Sequence, residues 1–364
     1  MRRALSGILS AALVLGVGEL LAVVIGPDSS PIVAVGSAAV DNTPAGVREW
    51  AIDTFGTSDK LALFIGMGVV IALLAAVAGI LERARRPIGS ALFVVLGVLG
   101  VLAAISRSGS GSVAALPTVV GVAVGILVLR SLVDRADPEA SEGFSRRRFV
   151  MLAGISAAAA VATGAAGRVL GASTRAVTQD RDAFTVPLPD SPAPPVPAAA
   201  DLRLPGLSPY VTSNAEFYRI DTALVVPRVN SQDWSLRIHG MVDNEMTLTL
   251  ADLEQRVSIE RMVTLTCVSN PIGGDLVGNA TWTGYALKDI LEEARPQASA
   301  DMVLSSSHDD FTAGTPLDVL LDGRDAMLAV AMNGEPLPIE HGYPARLVVP
   351  GLYGYVSATK WVTE

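Results

Sequence analysis

Met262-Val-Thr-Leu-Thr-Cys267-Val-Ser-Asn-Pro-Ile-Gly-Gly-Asp275-Leu-Val-Gly-Asn279 carries the only cysteine of a 364-residue chain, at the point where a strand-like run gives way to a glycine-rich loop. Taken alone, a single cysteine reads as a small buried hydrophobe, because the free thiol is among the most buried side-chain types. The following residues favour a second reading. Asn270-Pro271-Ile-Gly273-Gly274 is a poor continuation for a core strand, since proline removes a ladder donor and adjacent glycines weaken packing. Glycines also let backbone approach a large ligand, so a thiolate presented to a cofactor at a loop entry fits the same residues. One cysteine allows no disulfide within the chain, which leaves an extracytoplasmic domain to be held by its core or its cofactor.

Upstream of this stretch the composition changes character. Half of all residues are hydrophobic and the mean hydropathy is +0.46, which places part of the chain in lipid. Five apolar segments, at about residues 4–26, 61–81, 88–105, 112–130 and 149–171, are each long enough to cross a hydrocarbon core of about 30 Å. Gly66, Gly68, Gly97 and Gly100 lie inside them and suggest a packed bundle, since small residues bring membrane helices close together. Arg2 and Arg3, then Arg83, Arg85 and Arg86, then Arg130, Arg135 and Arg146 to Arg148 fall on one alternating set of connections. The other set carries Arg48, Lys60 and Arg107, so the positive-inside rule puts the N-terminus in the cytoplasm and everything after residue 171 outside. The net charge of -9 gives no basic face for nucleic acid, and that class of partner is excluded.

Ahead of the fifth segment, Ser145-Arg146-Arg147-Arg148-Phe149-Val150-Met151-Leu152 reads either as a cytoplasmic charge anchor or, by its arrangement, as similar to a twin-arginine export signal. The second route exports folded domains and suits a cofactor inserted in the cytoplasm. Residues 172–200, with Val186-Pro-Leu-Pro-Asp-Ser-Pro-Ala-Pro-Pro-Val-Pro197, read as a semi-extended spacer. The expected organisation is a four-helix membrane region over 1–143, the export-like segment and fifth helix over 144–171, that linker, and a mixed α+β domain over 201–364.

Within the last domain the patterns predict strands at Trp234–Gly240, Met262–Thr266, Ala326–Met332, around Leu337 and at Arg346–Pro350. Helices are predicted from Thr249 to Arg256, over Gly284–Ala294 behind a Thr283 cap, and after Thr315-Pro316 to a stop at Gly323. Asn333-Gly334 is a hairpin signal. The chain has no Gly-x-Ser-x-Gly, Walker loop, Cys-x-x-Cys or His-Glu-x-x-His, and its three histidines, His239, His308 and His341, all lie beyond residue 171. The apolar segments therefore offer no histidine for haem, and neither haem nor an iron–sulfur cluster is expected. His308 with Asp309-Asp310 reads as a polar loop, and Trp282 as packing.

Thr264-Leu-Thr-Cys267 through Asn279-Ala-Thr-Trp282-Thr-Gly284, followed by His341-Gly-Tyr-Pro-Ala-Arg346-Leu-Val-Val-Pro350-Gly-Leu-Tyr-Gly354 and Ser357-Ala-Thr-Lys360-Trp361, resembles the molybdopterin-binding domain of the sulfite oxidase family. The resemblance covers about residues 201–364. It implies a molybdenum–molybdopterin cofactor with Cys267 as the protein ligand to the metal. It also implies Asn214, Phe217 and Tyr218 as pterin contacts, Arg219 as the substrate-facing cation, His341 and Arg346 at the cofactor's phosphate end, and Ser357 and Lys360 as closing contacts. Arginine supplies a rigid fork of donors for oxyanions and lysine a compact point charge. The implied function is a membrane-anchored oxidoreductase that transfers an oxygen atom at sulfur, with a small sulfur oxyanion as substrate and a separate electron-transfer partner. The loop after Cys267 lacks the basic residues of animal and plant sulfite oxidases, which keeps reduction of an S-oxide such as methionine sulfoxide open as the alternative. A membrane-tethered binding module without chemistry is a third reading. The immunoglobulin-like dimerisation domain that commonly follows in the family is not in this sequence, so a homodimer is expected of a longer form.

Overall fold

The structure is a computed structural model that describes residues 2–26, 29–55, 59–83, 86–106, 111–134, 154, 172–202 and 204–364. The twin-arginine-like stretch and, Gly154 excepted, the fifth apolar segment lie outside the described residues. The chain divides into two compact units, Met1–Ala172 and Ser173–Glu364.

In the first unit, helices α1 (Arg2–Ile25), α4 (Asp59–Leu81), α5 (Ile88–Ile105) and the helical stretch Ser112–Val133, which contains most of α6 (Leu116–Asp134), are long and apolar enough to span a membrane. Two shorter helices, α2 (Pro31–Asp41) and α3 (Ala45–Phe55), lie between α1 and α4. The sequence patterns did not single out α2. Its 11 residues are too few to span, and it begins where Ser30 accepts a hydrogen bond from the Val33 N–H with proline at the first helical position.

Packing within this unit runs through small residues, though not all of those expected. A Cβ on Gly7 of α1 would lie 1.8 Å from the Ala75 carbonyl of α4, so those two helices touch backbone to backbone. Gly97 and Gly100 of α5 do meet α6, at Val122 and Thr118. Gly66 and Gly68, in contrast, have no neighbour among the described residues where a side chain would project. The outward surface is apolar, with Leu61, Ile65, Val69 and Leu73 exposed along α4.

The charge at the end of α4 is explained by the start of α5. Glu82 is buried and accepts from the Ser90 backbone N–H at 2.6 Å and the Ser90 hydroxyl at 2.8 Å, which places a carboxylate on the N-terminal turn of α5. Arg130 of α6 approaches it to 3.7 Å.

The second unit is α+β, as the patterns predict. Its main antiparallel sheet has the order β10 (Glu335–Pro336), β9 (Met327–Met332), β6 (Val277–Ala286), β5 (Ser258–Thr266), with β11 (Arg346–Val348) also paired to β9. Two hairpins, β3 (Ser235–Ile238) with β4 (Met246–Thr249) and β7 (Met302–Ser306) with β8 (Thr312–Pro316), stand apart from it. Every residue of β9 is buried, because apolar clusters cover both faces of this central strand. One cluster is built on Leu236, Leu253, Ile290 and Leu347, the other on Val263, Leu265, Trp282 and Val348.

Several boundaries differ from expectation. The helix expected over Gly284–Ala294 begins at Leu287, because β6 keeps pairing with β9 through Ala286 and Thr283 therefore caps nothing. Thr315-Pro316 ends β8 instead of opening a helix, which runs only from Leu317 to Leu321. Thr249 caps as expected, with a reciprocal bond from Asp252, but its helix stops at Leu253.

The largest correction concerns the linker. Ala172–Ala183 is a helix that from Ser173 onward belongs to the second unit and is tied down by side chains. Arg181 donates to the Leu337 and Pro336 carbonyls at 2.8 Å each, and Asp180 accepts from the Tyr343 hydroxyl and the Ser231 N–H and hydroxyl. Further on, Ser191 forms a bridge with Ile259 of β5. The segment is extended from Phe184 onward, as its prolines require, yet it lies along the domain.

Candidate functional site

The β5–β6 hairpin presents the cysteine. The ladder runs from Ser258↔Tyr285 to Thr266↔Val277, and the Cys267 N–H donates to the Leu276 carbonyl at 2.9 Å, one step beyond the last strand pair. The loop then turns on its own atoms. Asn270 Oδ1 accepts from the Leu276 N–H, the Gly274 N–H reaches the Pro271 carbonyl, and Gly273 takes φ +75°, open to glycine without strain. Cys267 itself is buried.

The aromatic pair comes from a different part of the chain. Phe217 and Tyr218 stack at 5.3 Å, and Phe217 meets Trp282 edge-on at 5.6 Å and His341 edge-on at 5.6 Å. Gly278 of β6 makes room for this, since a Cβ there would sit 2.5 Å from the Phe217 ring. The segment is held by the Asn333-Gly334 turn. Asn333 donates to the Thr212 carbonyl and to Asn214 Oδ1, while Asn214 donates to the Met332 carbonyl.

The C-terminal block supplies the cations. Arg346 of β11 is buried, lies 5.0 Å from the Trp282 ring centroid, and donates to the carbonyls of His341, Ala358 and Leu347. Gly342, with φ +112°, lets the chain turn between His341 and Arg346 against Lys360, to whose Cβ an added Cβ would come within 3.1 Å. Lys360 donates to Asp221 at 2.8 Å and to the Glu340 carbonyl at 3.2 Å. Ser357 is fully buried and donates to the Tyr353 carbonyl.

Electrostatics mark the cluster as one unit. Burial, then the neighbouring charges of Arg346 and Lys360, pulls His341 down to about 3, so the ring is neutral. Burial lowers Lys360 to about 8 against the opposing pull of Asp221, and lowers Arg346 to about 10. Tyr218 is pushed up to about 12 by burial, with Arg346 opposing and Cys267 adding to the shift. Tyr218 thus feels the charge of both Arg346 and Cys267.

The structure therefore brings together Cys267, Phe217, Tyr218, His341, Arg346 and Lys360. Asn214 touches the group through its backbone, which accepts from His341, while its side chain serves the hairpin turn. Arg219 is not the free cation expected from its motif. Its Nε donates to Asp221 Oδ2 at 2.8 Å, on the same oxygen that receives Lys360. Asp221 is the residue the sequence patterns missed. The signal available was a carboxylate two positions from Arg219, which by itself does not distinguish a surface pair from a buried one. His308 stays in a polar loop, its N–H bonded to the Trp361 carbonyl.

The donor set fits an anionic cofactor that brings its own metal ligands. Among the described residues no cluster of three or more His, Cys, Asp or Glu side chains could hold a metal, so a single thiolate is what the protein offers. A buried guanidinium is costly unless it meets an anion. No carboxylate pairs with Arg346 among the described residues, and Arg219, Arg346 and Lys360 outnumber the single carboxylate among them. The excess positive charge suits a phosphate.

The family model for the oxidoreductase molybdopterin-binding domain matches residues 223–364. That stretch is similar to molybdopterin-binding oxidoreductase domains, those of sulfite oxidases among them. Asn214 to Asp221 lie just ahead of the matched stretch. The chain is 36% identical over 129 residues to the uncharacterized oxidoreductase YuiH of Bacillus subtilis, covering 35% of this chain and 62% of that protein. It is 33% identical over 177 residues to the mitochondrial sulfite oxidase of Drosophila melanogaster, covering 43% of this chain and 30% of that one. With the NADPH nitrate reductase of Leptosphaeria maculans it shares 32% identity over 215 residues, covering 49% of this chain and 24% of that one. The chain thus spans less than two thirds of each of these relatives. The crystal structure of the sulfane dehydrogenase SoxCD from Paracoccus pantotrophus covers 43% of each chain at 26% identity with a TM-score of 0.40, too low to carry an argument.

Proposed function

We propose that the chain is a membrane-anchored molybdenum oxidoreductase that transfers an oxygen atom at sulfur on the extracytoplasmic face. The observation that carries this reading is the convergence of buried Cys267, the Phe217–Tyr218 stack and the cations of the C-terminal block in one domain. A molybdenum–molybdopterin group, when bound, supplies two-electron oxygen exchange with the substrate. Cys267 holds the metal. Arg346 and Lys360 bind the anionic end of the cofactor, and neutral His341 accepts or donates a hydrogen bond there without adding charge. Phe217 and Trp282, both buried and in edge-on contact, exclude water beside the stacked Tyr218. Arg219, 38% exposed, is the group left to meet substrate. Electrons pass to a separate partner. Arginine placement in the sequence and the four spanning helices support an anchored domain outside the cytoplasm, and the twin-arginine-like stretch supports export after cofactor insertion.

Purified protein should contain about one molybdenum per chain, and Cys267→Ser should lose the metal-dependent absorption together with sulfite oxidation by an acceptor dye. Wild-type protein without molybdenum, or an unchanged spectrum in the variant, would refute the reading. Protease added to intact cells should cut the domain; protection would overturn the outside placement.

A second reading, reduction of an S-oxide with the same cofactor, is favoured by a specific observation. The first residue after Cys267 is the exposed Val268, and Arg219 is already paired, so the site offers an incoming oxyanion little free positive charge. Turnover of a sulfoxide by reduced dye, faster than oxidation of sulfite, would establish it.

A further inference from the structure

Asp221 is nearly inaccessible, at 3% side-chain exposure, and a buried carboxylate persists only when its charge is met. It is met twice. Arg219 Nε and Lys360 Nζ both stand 2.8 Å from the same oxygen, Oδ2, and the second contact between Arg219 and Asp221, at 3.5 Å, is too long to complete a fork-to-fork pair. Lys360 is further committed to the Glu340 carbonyl and the Trp361 ring, whose centroid lies 4.6 Å away. Arg219 is thus held through its Nε, and its side chain is 38% exposed.

An arginine in this state is a weaker receptor for a charged oxyanion than an unpaired one, because a carboxylate oxygen 2.8 Å from its Nε offsets part of its charge. It remains a competent single hydrogen-bond donor to an uncharged S=O oxygen. The loop that follows Cys267 adds no cation, since Val268 to Gly274 carry none and Asp275 follows. We propose that Asp221 is a specificity-determining residue: by pairing with Arg219 Nε it weakens the site's hold on sulfur oxyanions relative to uncharged S-oxides. The inference rests on the placement of substrate at Arg219 made under the proposed function.

The test is a calorimetric titration of the cofactor-loaded full-length protein with sulfate, an inert oxyanion, and with dimethyl sulfoxide, at pH 6, where Lys360 keeps its proton. Asp221→Asn should bind sulfate at least tenfold more tightly than wild type, with dimethyl sulfoxide binding unchanged within twofold. The gain should vanish when Arg219→Gln is added, and Asp221→Glu, which keeps the charge, should behave as wild type. Unchanged or weaker sulfate binding in Asp221→Asn, a gain that survives Arg219→Gln, or an equal gain in Asp221→Glu would overturn the assignment. Loss of molybdenum from both Asp221 variants would also overturn it, by making Asp221 a structural support. Because binding is read without turnover, a protein that loads molybdenum yet converts neither sulfite nor sulfoxide would defeat the proposed function and leave this result standing.

Discussion

Burial and two adjacent cations hold the His341 imidazole near 3, against about 6.5 for a free histidine, and this has a consequence for stability. Between those values the unfolded chain takes up a proton that the folded chain refuses. Folding stability is therefore complete above about pH 6.5 and falls as the pH drops toward 3, by roughly 1.4 kcal/mol per pH unit well inside the window. Thermal unfolding followed from pH 7 to pH 4.5 should show a steep fall in Tm, and His341→Asn should flatten that slope whatever it does to Tm at pH 7. An equal slope in both proteins would mean that His341 is protonated in the fold. Single residues were unevenly legible in the sequence. Cys267 stood out because it is unique and its loop breaks a strand, and His341 and Arg346 because their block resembled a family. Asp221 did not, because its role depends on Lys360, 139 positions away, arriving at the same oxygen.

At the scale of elements, the Asn333-Gly334 turn was readable because its chemistry is local: both residues take positive φ, 52° and 76°, which asparagine and glycine tolerate best. What could not be read was its second duty. The Asn333 side chain accepts from the Thr281 N–H and donates to Thr212 and Asn214, so the turn clamps the segment that carries Phe217 and Tyr218. Asn333→Ala should cost about 2–4 kcal/mol, from the strained φ together with lost buried hydrogen bonds. It should also lower molybdenum content in protein that still folds. Denaturant titration with metal analysis would check both, and full metal content in the variant would show that the segment does not depend on the turn. The start of the helix at Leu287 was misplaced for the opposite reason. Pairing of β6 with β9 is a tertiary contact, and it outweighs the local capping preference of Thr283.

For the whole molecule, hydropathy gave the two-part division, since four helices of the expected length occupy the first unit and an α+β domain the second. Which glycines pack was not legible. Gly7 and Gly66 look alike in sequence, and only the helix pairing decides that one meets backbone and the other meets none of the described residues. The proline-rich stretch was extended as read, but its neighbour Ala172–Ala183 was mistaken for part of a spacer. Its polar composition resembles a linker, while its purpose lies in Asp180 and Arg181 and the partners they reach.

That docked helix redraws where the catalytic half begins. Tyr343, two residues from His341, gives its hydroxyl to Asp180, and the hairpin strand that bears Pro336 gives its carbonyl to Arg181. A soluble version begun at residue 201 would strip both, leaving a buried phenol and two carbonyls beside the cofactor-binding loop without their partners. It should unfold at least 5 °C below a version begun at residue 172, corresponding to three charge-assisted hydrogen bonds of about 1.5–3 kcal/mol each. Equal melting temperatures for the two would show the helix to be dispensable. If the difference is found, the helix is also a brace for the second unit, and any cut made to free the domain must fall before Ala172.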